Sequence, residues 1–282
     1  MTRFETYCQH RETEALTARL SGFYTIDDRS ACRRLVAIGN AWSRRYFDGD
    51  FYRAAVPDAS RPLVNLVFVE SRDGHTVADD PSALGGGDTD KHLIYEGLSR
   101  VDADAVMAGA ATAQSENMVF SIWHPALVAL RRSRGHRRHP AQIVVTSSGR
   151  LPIERGLMFE EPSLPVYLIT SSKVVPGLRA RVRNRPWVDV VDAGERVSLR
   201  DAMCSLRQRG IENISAIGGR STATALLLDG LVSDIYLTTS PIEAGEPHTP
   251  FYEGPPLNLT PVVHKAGRGA EGGVRFAHYL VG

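Results

Sequence analysis

The stretch ENISAIGGRSTATALLL, residues 212–228, decides how the rest of the chain is read. A short apolar run, Ile214 to Ile217, meets two adjacent glycines, and a Ser/Thr/Ala segment able to start a helix follows at once. Glycine between a buried strand and a helix permits a tight turn. It also lets a ligand approach the backbone, because no Cβ stands in the way. A helix N-terminus offers unpaired N–H groups and about half a positive charge, which suits a phosphate. Arg220, Ser221 and Thr222 add a cation and two hydroxyls at the same place.

A tight turn accounts for an isolated glycine pair equally well. This pair has a counterpart in VMAGAATAQ (106–114), where Gly109 separates an apolar run from a small-residue segment containing Thr112. Two such junctions in one sheet point to a dinucleotide. No GxGxxG follows the first run, which reads VFVESRDGHTV (67–77), so a Rossmann dehydrogenase fits poorly.

Working outward, short apolar runs alternate with helical stretches. The runs are LVNLVFV (63–69), DAVMAG (104–109), QIVVTS (142–147), PVYLIT (165–170), VDVVDA (188–193), ISAIGG (214–219) and SDIYLTTSPI (233–242). Helices are expected in KHLIYEGLSR, SKVVPGLRARV, SLRDAMCSLRQRG and STATALLLDG, two of them closed by a glycine that suits a C-terminus. This alternation predicts an α/β fold with a largely parallel central sheet. LTPVVHKAG and GGVRFAHYLV, joined by a Gly-rich turn, predict an antiparallel hairpin at one side of it. Residues 1–60 are charged and read as a helical N-terminal extension, with Leu16, Leu20 and Phe23 as one stripe and Leu35, Ile38 and Trp42 as another. Pro57 and Pro62 bracket the join to a domain spanning 61–282.

The chain has 282 residues, 43% hydrophobic and 23% charged, with a net charge of +1, so no global field draws it to nucleic acid or an anionic membrane. Cys8, Cys32 and Cys204 are odd in number and far apart, which argues against a disulfide framework and a structural zinc site. No apolar run approaches the roughly 18 residues of a membrane span, and the first 20 residues lack a secretion signal's apolar core. A cytoplasmic, soluble protein is expected.

Five motifs come in a specific order: RPLVNLVFVESRDGHTV (61–77), LSRVDADAVMAGAAT (98–112), IVVTSSGRLP (143–152), IGG (217–219) and LVSDIYLTTSPI (231–242). In that order they resemble the reductase domain of bacterial riboflavin-biosynthesis enzymes, part of the dihydrofolate reductase superfamily. The resemblance covers about residues 61–245. It implies a dihydrofolate reductase-like, mostly parallel sheet flanked by helices, usually in a homodimer, with NADPH across the strand ends. The cofactor would contact Val69, Gly109, Thr112 and Ser147, with Ser148 and Arg150 near the 2′-phosphate, and Gly218, Gly219, Arg220, Ser221 and Thr222 on the pyrophosphate. The Ser-x-Asp-Gly turn of the family is matched by Ser71, Asp73 and Gly74, which makes Asp73 the candidate catalytic carboxylate, with Glu70 as its neighbour. An Asp-Gly turn needs no such role. Arg100 falls where the family places a substrate-contacting arginine. The activity implied is hydride transfer that reduces the opened ribosyl group of a phosphoribosylamino-pyrimidine.

The chain departs from the family on the substrate side. Ile217 replaces the glutamate of EGG. After Thr112, Glu116 roughly replaces an aspartate, no proline follows at the family's spacing, and Trp123 stands near the expected arginine. SALGGGDTDKHL (82–93) replaces a Trp-Ile-Ser-like stretch. Phe120 and Trp123 would then favour a larger apolar or aromatic substrate. Residues 1–60 contain neither His-x-Glu nor Pro-Cys-x-x-Cys, so no zinc deaminase is expected there. The segment is expected to cover the active site or a dimer surface. RRSRGHRRHP (131–140), with five arginines and two histidines, reads as a solvated loop or a phosphate contact. His136 and His139 lack the companions of a metal site. A dihydrofolate- or pterin-type reductase is the alternative, although no carboxylate is evident in the early-helix position that protonates the pterin. A cofactor-binding protein without catalysis is the third.

Overall fold

The computed structural model describes residues 1–55, 60–77 and 84–282. Pro57 and the first two residues of the 82–93 stretch, Ser82 and Ala83, lie outside the described residues. Each apolar run from residue 61 onward forms a strand: β4 (Leu63–Glu70), β5 (Ala105–Gly109), β6 (Ala141–Val145), β7 (Val166–Thr170), β8 (Val188–Asp192), β9 (Asn213–Ala216) and β10 (Asp234–Thr239). These seven pair in parallel, in the order β10-β4-β9-β5-β6-β7-β8. Parallel strands buried on both faces read as continuous Val/Ile/Leu runs, which is why they were visible in the sequence. The hairpin of β11 (Leu259–Gly267) and β12 (Arg275–Val281) adds antiparallel strands beside β10.

The N-terminal segment is mixed rather than helical. α1 (Arg3–Thr17) and α2 (Ala41–Phe47) are helices, but β1 (Phe23–Asp28) joins β11 as the tenth strand of the main sheet. β2 (Leu35–Ile38) pairs with β3 (Phe51–Ala54) in a small hairpin. The expected stripe Leu35, Ile38, Trp42 crosses a boundary, because Asn40 caps α2 by accepting from the Ser43 N–H. Leu16 is left exposed while Phe23 is buried on its strand.

The sheet divides the core in two. On one face pack α5 (Pro125–Ser133), α6 (Leu157–Glu160), α7 (Val175–Val182), α2, parts of α1, and a π-helix, Asp90–Leu98, preceded by α3 (Gly87–Thr89) and followed by α4 (Ser99–Val101). On the other pack α8 (Leu199–Gln208) and α9 (Arg220–Leu228). α8 buries Leu199, Ala202, Met203 and Leu206. Each large apolar side chain so placed contributes about 1.5–3 kcal/mol. α5 was not foreseen, although His124 and Pro125 mark its start as N-cap and first residue.

Part of the basic run 131–140 is built into the scaffold, while Arg132, Ser133, Arg134, Gly135 and Arg137 stay exposed. Arg131 is 1% exposed and donates to the carbonyls of Arg100, Val101, Ala103 and Arg137. Arg134 pairs with Asp102, and Arg138 with Glu12. His139 is half-buried against Phe4 and bonds Ser121 Oγ, and its desolvation drives its pKa down to about 3.

Candidate active site at the strand ends

β5 and β9 are neighbours, and both run out into glycine at the same end of the sheet. The Ile217 N–H donates to the Met107 carbonyl at 2.8 Å, which carries the register past the last paired residue. Gly218 and Gly219 then take φ values of +92° and +82°, where a side chain is strained. A Cβ on Gly219 would stand 3.4 Å from Gly109 Cα. One on Gly109 would stand 3.0 Å from Thr222 Oγ1, and one on Gly218 3.4 Å from Thr112 Oγ1. The two junctions therefore touch, with a threonine hydroxyl from each. α9 opens here without a side-chain cap, so its first N–H groups are available to an anion.

Ser221 is exposed on the first turn of α9. Arg220 is already engaged: Nε donates to the Pro250 carbonyl at 2.9 Å, and the guanidinium pairs with Glu253. A groove of about 450 Å³ flanks this turn, lined by Arg220, Ser221, Thr224, Ala225, Leu228 and Glu253. Ser147, Ser148 and Arg150 follow β6 and are exposed. Gln114 Nε2 donates to the Ala110 and Arg150 carbonyls, at 3.1 and 3.0 Å, and so ties the β5 and β6 loops together.

Beyond β4, Asp73 Oδ1 accepts from Ser71 Oγ at 2.6 Å, and Oδ2 lies 3.1 Å from His75 Nε2. The Ser71 bond, helped by His75, holds the Asp73 carboxyl below its ordinary range. These contacts favour the ionised form of Asp73. Glu70 accepts from Thr239 Oγ1 at 2.9 Å, and burial raises its pKa.

Sequence reasoning missed Asp90, and this corrects the expectation that no carboxylate stands early in the first helix. Asp90 opens the π-helix, is 3% exposed, and accepts from Thr238 Oγ1 through Oδ1. Burial pushes its pKa up to about 7, with the charge of Glu271 adding to the rise. A Cβ on Gly86 would lie 3.0 Å from Asp90 Oδ2 and 3.1 Å from Val69 Cγ1, so the acid stands near the C-terminal end of strand β4. In the sequence it is one acidic residue in a first helical turn, an ordinary place for one.

The expected substrate residues are not brought to the glycine loops. Arg100 follows the π-helix down to the start of β5, the opposite end from the glycines, and is 1% exposed. Its Nη1 donates to the Ser121 carbonyl at 2.6 Å. Phe120 and Trp123, expected to wall an open aromatic pocket, are 4% and 1% exposed. Phe120 is fixed by the Gln142 side chain, and Trp123 lies against Tyr7 of α1. Apolar bulk near a loop is buried wherever another element can cover it. Glu116 is half-buried and pairs with Arg155 at 3.3 Å. Ile217, in place of a glutamate, is 1% exposed in the core. Among the described residues, no three His, Cys, Asp or Glu side chains are grouped to hold a metal, and no helix is long and apolar enough to cross a membrane.

Comparison with known proteins bears on this arrangement. The family described as RibD C-terminal domain matches residues 62–268. The 2,5-diamino-6-ribosylamino-4(3H)-pyrimidinone 5′-phosphate reductase of Archaeoglobus fulgidus is 24% identical over 190 residues, 67% of this chain and 85% of that protein. A pyrimidine reductase-like protein from Corynebacterium diphtheriae has a similar structure, with a TM-score of 0.65 at 23% identity, covering 80% of this chain and 95% of that one. The riboflavin biosynthesis reductase Rib7 of Saccharomyces cerevisiae gives 0.60 at 15% identity, covering 81% and 93%. The two structural likenesses concern the fold.

Proposed function

The chain belongs to the RibD C-terminal domain family, and on that premise we propose that it is an NADPH-dependent reductase of the riboflavin-biosynthesis type acting on a phosphoribosylamino-pyrimidine. The contact between Gly109 and Gly219 carries this reading. A backbone cleared of Cβ atoms where the turn after β5 meets the start of α9 fits a pyrophosphate, and side chains there would fill the space it needs. Gly218, Gly219, Ser221 and Thr222 would hold the pyrophosphate, Gly109 and Thr112 its other side, and Ser147, Ser148 and Arg150 a 2′-phosphate. Arg220 shapes the loop through Glu253 rather than meeting the phosphates directly.

When bound, NADPH supplies a hydride to the opened sugar carbon, and the heteroatom left behind takes a proton. The chain's own residues supply that proton and the alignment. Asp90, buried beside Val69 and oriented by Thr238, carries a proton near neutral pH. Asp73 stays ionised and fixes the turn after β4 through Ser71 and His75. The reading includes a cytoplasmic homodimer. In support, Tyr24 and Ile26 on the edge strand are exposed, and Leu259, Tyr279 and Val281 on the hairpin are only partly covered.

Asp90 also favours a second reading, reduction of a pterin, since an early-helix acid is what that chemistry uses. The test is consumption of NADPH by the purified protein with 2,5-diamino-6-ribosylamino-4(3H)-pyrimidinone 5′-phosphate and, separately, dihydrofolate. Turnover of the pyrimidinone with formation of a ribityl product is expected. Turnover of dihydrofolate alone would establish the second reading, and binding without either turnover would leave a non-catalytic cofactor protein.

A further inference from the structure

The stretch SALGGGDTDKHL (82–93) contains three consecutive glycines that take no part in the junctions after β5 and β9. Two of them lie against carboxyl groups. A Cβ on Gly86 would press on Asp90 Oδ2 at 3.0 Å, and one on Gly87 would press on Glu271 Oε1 at 3.0 Å and Cδ at 3.2 Å. Gly87 also takes φ +79°, where a side chain is strained. The bare backbone lets both acids approach the start of the π-helix.

Glu271 reaches this place from the last hairpin. It ends a 3₁₀ turn, Gly269–Glu271, between β11 and β12, and is 8% exposed. Its Oε1 accepts from the Thr89 N–H at 2.7 Å. Thr89 is buried, and its Oγ1 accepts from the N–H groups of Ser21 and Gly22, at 3.0 and 3.4 Å. The N-terminal segment, the hairpin and the residue next to Asp90 thus form one assembly. Glu271 Oε2 is buried without a partner among the described residues, and Asp90 bonds only Thr238 there. Arg268, at the head of the turn, goes to Asp48, and the exposed Asp88 accepts from the Arg19 N–H at 3.3 Å. Two buried carboxyls without a cation are costly to ionise together, so one keeps a proton.

The difference between them decides which one. Glu271 holds a backbone N–H, which favours its charged form, whereas Asp90 holds only a hydroxyl. Burial raises the pKa of both, with Asp88 adding to the rise at Glu271 and Glu271 to the rise at Asp90. Tyr95, further along the π-helix, stays neutral, its pKa pushed up to about 12 by burial. Glu271 therefore ionises first, and its charge holds the proton on Asp90.

We propose that the β11–β12 turn belongs to the active site, with Glu271 as the positioning residue that keeps Asp90 the proton donor. The proposal rests on the reductase reading for what receives the proton: the heteroatom left when hydride reaches the sugar carbon. Asp90 gives its proton to that atom and becomes a carboxylate. Two carboxylates then stand together, and Asp90 takes a proton back from water before the next turnover.

Infrared titration of the protonated-carboxyl stretch follows Asp90 in the whole protein without turnover, the band missing from Asp90→Asn being its own. In the parent that band should disappear with a midpoint at about pH 7. Glu271→Gln keeps the shape and the acceptor for Thr89 but removes the charge, and should lower the midpoint by about one pH unit. Glu271→Asp keeps the charge on a shorter side chain and should hold the midpoint closer to the parent's. A residue that only supports the turn would give the reverse order, since glutamine is the better mimic of its shape. With the pyrimidinone phosphate as substrate, the fall of kcat at high pH should begin at correspondingly lower pH in Glu271→Gln. A midpoint equal in the parent and Glu271→Gln, or lowered more by Glu271→Asp, overturns the proposal whether or not the pyrimidinone is reduced. A midpoint that follows the charge in a protein that reduces no pyrimidine supports the pair and removes only the reductase reading.

Discussion

Gly109 and Gly219 meet backbone to backbone, so that a Cβ on Gly219 would lie 3.4 Å from both the Cα and the N of Gly109. Residues 110 positions apart thus form one surface, because β5 and β9 are adjacent strands that stop at the same level. Gly219→Val fills that surface and forces a β-branched residue to φ +82°. Strain of this kind costs on the order of 1–3 kcal/mol. NADPH affinity, read by fluorescence titration, should fall at least about tenfold while the far-ultraviolet circular dichroism is kept. Unchanged affinity removes the loop from the site.

Asp90→Asn separates the acid from the other carboxylates. With its pKa at about 7, Asp90 is protonated below that pH, so kcat should fall as pH rises above it. The asparagine variant should lose that limb and about 10²–10⁴ in rate. Stability moves in the same sense. The folded pKa lies above the unfolded one, so the contribution is complete below about pH 4 and is lost as pH rises through about 7. The melting temperature of Asp90→Asn should therefore depend less on pH across that window than the parent's.

Asp73→Asn should behave differently. Its carboxyl is held low by Ser71 and stays ionised through the neutral range. Loss of the Ser71 and His75 contacts should raise KM or lower kcat, but the high-pH limb should remain. A variant profile without that limb would make Asp73 the acid.

Arg131→Met tests whether the basic run is scaffold. Four carbonyls lose their donor, three of them around the turn between α4 and β5. Unmade buried hydrogen bonds cost about 1–3 kcal/mol each, so urea unfolding should show a loss of at least about 3 kcal/mol. Cofactor affinity of the folded fraction should change little. A stable variant with impaired NADPH binding would instead place the run at a phosphate.

The seven parallel strands and both glycine junctions were legible because each is written locally, as an apolar run ending in glycine and small polar residues. Charged residues were not. Arg100 and Arg131 read as ligand or surface groups in the sequence and Asp90 did not stand out, and only the fold shows that all three are buried. Asp90 depends on Thr238, 148 positions away, a pairing no local pattern records. β1 was missed for a related reason: its partner β11 lies at the other end of the chain, and a six-residue strand flanked by charge resembles a helix's polar face. Trp123 was placed at the substrate because nothing in its own segment reveals that α1 covers it.

The most direct measurement is the titration of the purified protein with NADPH and with NADH, followed by fluorescence. Saturable binding that is tighter for NADPH is expected, with the preference reduced in Arg150→Ala and the binding lost in Gly219→Val. Absence of binding to either nucleotide would contradict the account, because the paired glycine junctions would then hold something other than a dinucleotide.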